Sequence, residues 1–147
     1  MKIVITLSLN LLLTSVAFAA PVTEVFCLHD ECSSLSIPGT VKTYVLDGHR
    51  KVEDKINAKY LQGAKTEREG LAAWQLIQKG PEFIELVDAA TLAGEAMQKV
   101  MLDYKLKKIP AFICRRSLNN IPQIGIVYGG TYPTAVQSCT QWIRGAE

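Results

Sequence analysis

Apolar positions along the chain change period several times, and each change marks an element. "VTEVF" and "VKTYVLD" are short runs rich in β-branched and aromatic residues; they read as two strands, the second ended by Asp47-Gly48. A period of four takes over at Val52, Ile56 and Tyr60, predicting a helix that stops at Gly63. Thr66-Glu67-Arg68-Glu69 has the form of a capping box, so another helix should start there, bury Leu71, Trp74 and Ile77, and end at Gly80-Pro81. The longest signal follows. Phe83, Leu86, Val87, Ala90, Gly94, Met97, Met101 and Tyr104 step by threes and fours, which predicts an amphipathic helix from Pro81 to about Leu106 with that stripe in the core. "IPAFICRR" and "IGIVYGG" read as strands joined by the loop Ser117 to Gln123, and "YPTAVQSCTQWIRG" as a closing helix. Tyr128-Gly129-Gly130 is the strand end turning into it, with glycine free to take positive φ. Trp74 and Trp142, at helical spacing among apolar neighbours, read as core.

The first residues follow a different rule. One lysine precedes an apolar run from Ile3 to Phe18, and Ala17-Phe18-Ala19 has the small-x-small form a signal peptidase accepts. The expectation is a signal peptide over residues 1–19, cleavage after Ala19, and a single exported domain over 20–147 in the periplasm. The apolar core falls short of the roughly 20 residues of a spanning helix, and no later segment is long enough, so no membrane span is expected after cleavage. No cysteine follows the cleavage site to carry a lipid. The charge balance, 16 Lys and Arg against 14 Asp and Glu, leaves no footprint for direct contact with nucleic acid. Lys105, Lys107 and Lys108 read as a solvated helix C-terminus, where cations offset the helix dipole.

The order strand, strand, helices, strand, strand, helix is that of an α/β, thioredoxin-like domain: a central mixed sheet of about four strands with an enlarged helical insertion between strands 2 and 3. Pro110 stands where that fold carries its cis-proline, opening the strand "PAFIC" beside the strand that ends at Phe26. The stretches "TYVLDGHRKVEDKI", "YKLKKIPAFI" and "IVYGGTYPTAVQ" resemble, in order and spacing, the thioredoxin-like proteins of undefined biochemical activity encoded by integrating conjugative elements. The resemblance covers nearly all of the exported part. It implies a periplasmic accessory or assembly component of a conjugative DNA-transfer (type IV secretion) apparatus, with other proteins of that apparatus as partners.

Candidate chemistry centres on the cysteines. All four, Cys27, Cys32, Cys114 and Cys139, lie beyond the expected cleavage point, and an even number in an oxidising compartment favours disulfides. Four residues separate Cys27 from Cys32, so the pair lacks the C-x-x-C spacing that would carry redox chemistry by resemblance. Three readings compete: a structural staple, a thiol-disulfide oxidoreductase or isomerase using Cys27 and Cys32, and a zinc site built from Cys27, His29, Cys32 and one acid. A redox pair needs its attacking thiolate exposed at a helix N-terminus, and Cys27 follows directly on strand residue Phe26. Zinc needs four ligands in fixed geometry, and that spacing is crowded. The staple is therefore the expected reading, and the chain is read as more a binding component than an enzyme. Cys114 in the strand after Pro110 and Cys139 in the closing helix form the expected second bridge, because in the thioredoxin-like arrangement that helix packs on the sheet. Exchange pairs such as Cys27 with Cys114 stay open, since those strands are neighbours there. No Gly-rich phosphate loop or G-x-S-x-G elbow occurs, no cofactor is expected, and His29 and His49 fall in loops without a triad partner.

Overall fold

The computed structural model describes residues 20–145; the expected leader and its cleavage point lie outside the described residues. In chain order the elements are β1 (Val22–Cys27), α1 (His29–Ser34), β2 (Lys42–Val45), α2 (Gly48–Ile56), α3 (Glu67–Lys79), α4 (Pro81–Gln98), β3 (Ala111–Leu118), β4 (Ile121–Tyr128) and α5 (Tyr132–Arg144). The strands form one mixed sheet in the order β2-β1-β3-β4, with β1 parallel to β2 and antiparallel to β3, and β4 antiparallel to β3.

Period-two alternation divides the sheet into two buried faces. Val25, Cys27, Phe112 and Cys114 point to one side, where they meet Leu35 after α1 and Ala135 and Cys139 of α5. Phe26, Tyr44, Ala111 and Ile113 point to the other, against Ala96 of α4. The register of β1 shifts between Val22 and Glu24, so Val22 joins Val25 on the α5 side although they stand three positions apart. A third cluster, Val52, Ile56 and Ile77 with Phe83 and Leu86 against it, holds α2, α3 and α4 to one another.

Several expectations change. The long loop between the last two strands shrinks to Asn119 and Asn120, both at positive φ (50° and 63°), since asparagine tolerates the left-handed turn that a tight hairpin requires. The helix after the capping box starts as expected, with Thr66 accepting from the Glu69 amide and Glu69 accepting from the Thr66 amide. It buries Ala73 and Ile77 but leaves Leu71 59% and Trp74 42% exposed. Trp74 meets Phe83 edge-on at 6.1 Å rather than entering the core. The long helix packs Phe83, Leu86 and Tyr104 of the expected stripe inward but presents a different face through its middle. Alanines 93 and 96, with Leu86 and Ala89 in support, face inward, while Val87, Met97 and Met101 of the expected stripe face solvent. Small side chains let α4 lie close to the sheet, and the larger apolar residues sit one step round the helix. Beyond Gln98 the helix widens to a π-turn over Lys99–Asp103, in which the Tyr104 amide reaches back to the Lys99 carbonyl. That extra residue swings Tyr104 onto the sheet, edge-on to Phe26.

Candidate functional site

The C-terminal end of β1 runs into α1 through Leu28, which occupies the helix N-cap with extended backbone. Leucine has no oxygen to cap with. Glu31 makes only the reciprocal contact of a capping box, accepting from the Leu28 amide at 3.1 Å. The His29 amide is taken by Asp47 Oδ1 at 2.7 Å, so Asp47, at the N-cap of α2, ties the starts of two helices together. His29, Asp30, Asp47, Arg50, Lys51 and Asp54 line a cleft of about 380 Å³ beside this junction.

Cys27 and Cys32 are joined in a disulfide, their Cα atoms 5.4 Å apart. Cys27, the last residue of β1, is fully buried against the α5 face; Cys32 is half-buried in the second turn of α1, its amide already bonded to the Leu28 carbonyl. Neither sulfur stands at the first turn of a helix, where exposed amides would lower a thiol pKa. With both sulfurs in the bridge, the proposed zinc ligands Cys27 and Cys32 offer no thiolate, and among the described residues no cluster of three metal-binding side chains occurs. The second bridge joins Cys114 of β3 to Cys139 of α5, Cα atoms 5.6 Å apart, and so ties the sheet to the helix that covers it.

The Ile109-Pro110 bond is cis. Ala111 pairs with Phe26, so Pro110 stands one step further, level with Cys27. The Pro110 carbonyl accepts from the Gly129 amide at 2.8 Å, which fixes the proline between the ends of β1 and β4. The Cys27–Cys32 bridge and Pro110 therefore meet at one end of the sheet. Leu28, 37% exposed, and Tyr128, 39% exposed, are the large apolar side chains open to solvent there, and the Tyr128 hydroxyl accepts from the Lys107 amide. His49, expected in a loop, lies in the first turn of α2, half-buried, and its Nδ1 has no partner among the described residues.

A second polar cluster escaped sequence reasoning. Glu24 on the α4 side of β1 accepts from Tyr104 Oη at 2.8 Å and from Arg115 at 2.6 Å. Burial, then the Glu24 carboxylate, push the Tyr104 phenol up to about 12, so it stays a donor throughout the physiological range. Glu24 stands 80 and 91 positions before Tyr104 and Arg115, and the pairing of β1 with β3 and the π-turn bring the three together. What the sequence did carry was an acid inside an apolar strand. The short helix α1 was missed because "CLHDECSS" has neither an apolar period nor a Ser, Thr, Asp or Asn before its first turn.

No protein-family model matches the chain, and neither curated proteins nor solved structures contain a significant match to it.

Proposed function

We propose that the chain is an exported, thioredoxin-like accessory protein of a conjugative DNA-transfer apparatus, acting by protein contact rather than thiol exchange. The thioredoxin-like reading is supported by the sheet order β2-β1-β3-β4, by the parallel β1–β2 pair, and by a cis-proline level with the end of β1. The conjugative reading rests on the order and spacing of "TYVLDGHRKVEDKI", "YKLKKIPAFI" and "IVYGGTYPTAVQ" and on the expected leader. The observation that carries the non-catalytic part is the burial of Cys27: a fully buried sulfur at a strand end cannot attack a substrate disulfide, and its half-buried partner Cys32 stands in the second turn of α1, away from the first-turn amides that would lower a thiol pKa. The bridge then acts as a staple that holds Leu28 and the acidic residues Asp30 and Glu31 beside the cleft.

Deleting the chain from its element and scoring DNA transfer by mating tests the process. Transfer should fall and be restored by the wild-type chain. It should also be restored by Cys27→Ser/Cys32→Ser, provided the double variant is folded. A deletion without effect on transfer removes the conjugative reading. A folded double variant that fails to restore transfer, together with insulin-reducing activity in the wild-type protein, would turn the reading to the oxidoreductase.

A further inference from the structure

The two edges of the sheet are built differently. β2 is four residues long and carries the exposed Lys42, a short and charged edge that resists pairing with another strand. β4 is eight residues long, and no charged residue occurs anywhere between Arg116 and Arg144. Among the described residues no strand lies beyond it. The Gly129 amide bonds the Pro110 carbonyl directly opposite, which sets the alternation of the β3–β4 ladder. Residues 121, 123, 125 and 127 turn their amides and carbonyls inward to β3. Pro122, Ile124, Ile126 and Tyr128 turn theirs outward. The side chains of these outward residues lie on the α4 side, where Ile124 is 49% and Tyr128 39% exposed. The opposite side is closed: Trp142 lies flat over Gly125, whose absent Cβ would fall 3.1 Å from the indole, and Arg116 stacks on the ring at 4.1 Å.

We propose that β4 is the pairing edge of a homodimer, in which two copies join β4 to β4 antiparallel about a two-fold axis at Gly125, giving a continuous eight-stranded sheet. The parity fits. About that axis Ile124 faces the partner's Ile126 in a doubly bonded pair, and Ile126 faces the partner's Ile124. Tyr128 faces the partner's Pro122, whose missing N–H leaves one bond, from the Tyr128 amide to the proline carbonyl. A second copy is the occupant because a two-fold axis brings the residues around it beside their own symmetry mates, where a charge would meet its like. This edge and the turns at both its ends, Asn119-Asn120 and Gly129-Gly130, hold none. Charge depletion at the centre is also the compositional mark of interfaces. The axis keeps the α4 sides of both sheets on one side, so Ile124 and Tyr128 cover the partner's Ile126 and Pro122.

Sedimentation equilibrium of the exported protein from about 1 to 100 µM should show a monomer–dimer equilibrium. Amides of Ile124, Ile126 and Tyr128 should gain hydrogen-exchange protection as concentration rises. Ile124→Pro removes an outward N–H and leaves the β3–β4 ladder intact, so circular dichroism and melting should be preserved while the dissociation constant rises at least about tenfold. Should that variant lose its folded signal, Ile124→Lys, which sets two like charges near the axis, decides with the same expected weakening. A monomer at every concentration overturns the proposal and leaves the edge to a strand from another protein. A dimer that survives these substitutions, or that forms without protecting the three amides, overturns it as well.

Discussion

The sheet with α1 and α5, and the helical layer of α2, α3 and α4, are held together by different means. In the first, fully buried Val25, Phe112, Cys114 and Cys139 meet across a face that two disulfides also cross or border. In the second, a small cluster around Ile77 is supplemented by charge: Lys55 pairs with Glu85 at 2.8 Å, and Lys59 and Tyr60 both donate to Glu82, which is buried although charged. Gly80 leaves room for that carboxylate; a Cβ there would lie 2.9 Å from Glu82 Oε2. Each region is therefore vulnerable to a different change. Apolar burial and covalent closure are insensitive to acid and salt, whereas an ion pair at a partly wet surface is sensitive to both.

The longer disulfide should have the largest single effect. Closing a 25-residue separation is worth about 3.5 kcal/mol in the chain-entropy model, so Cys114→Ser/Cys139→Ser should lower stability by about that amount in urea unfolding. Hydrogen exchange should speed first in α5 and β3. Ile77→Ala removes the fully buried centre of the helical layer and should cost about 3 kcal/mol. If the two regions are as distinct as their packing, α2 and α3 amides should lose protection while β1 and β3 keep theirs; uniform loss would mean one cooperative unit. Cys27→Ser/Cys32→Ser, opening a separation of five, should cost about 2 kcal/mol, read by the same unfolding curves.

Acid should act on the helical layer next. The hydrogen bond from Lys59 holds the Glu82 carboxyl down at about 2, against its ordinary 4.5. A carboxylate whose pKa is depressed by folding contributes stability that is complete above the unfolded value and lost as pH falls through the folded one. The contribution should therefore fade between about 4.5 and 2, and Glu82→Gln should flatten the stability profile in that window; an unchanged acid profile would defeat the assignment. Smallest is the exposed Lys55–Glu85 pair, where Lys55→Ala should shift the unfolding midpoint least of all these changes, and less still in high salt.

Legibility in the sequence followed the range of the interaction. The capping box at Thr66, the β-branched strands, and Pro81 opening a helix are all settled within a few residues, and they stand where the pattern put them. Boundaries and faces were less secure. Val87, Ala90, Gly94, Met97 and Met101 make as regular a stripe as Ala89, Ala93 and Ala96, so periodicity alone could not tell which one meets the sheet. Of the candidate site, the cysteines and Pro110 were identifiable by type, but α1, the Asp47 contact to His29 and the Glu24–Tyr104–Arg115 cluster were not.

The sequence alone was enough for the local grammar: which of the longer segments are strands or helices, where several of them start, and that an even number of cysteines lies beyond the expected leader, their pairing left open. Tertiary structure decided what no local rule can reach. It set which face of α4 is buried, because the winning face is the one whose alanines let the helix lie close to the sheet. It set the parity of β4, because which amides face outward depends on how β3 pairs with it. It also brought Pro110 level with Cys27, because that juxtaposition is fixed by backbone hydrogen bonds between strands more than eighty residues apart in the chain.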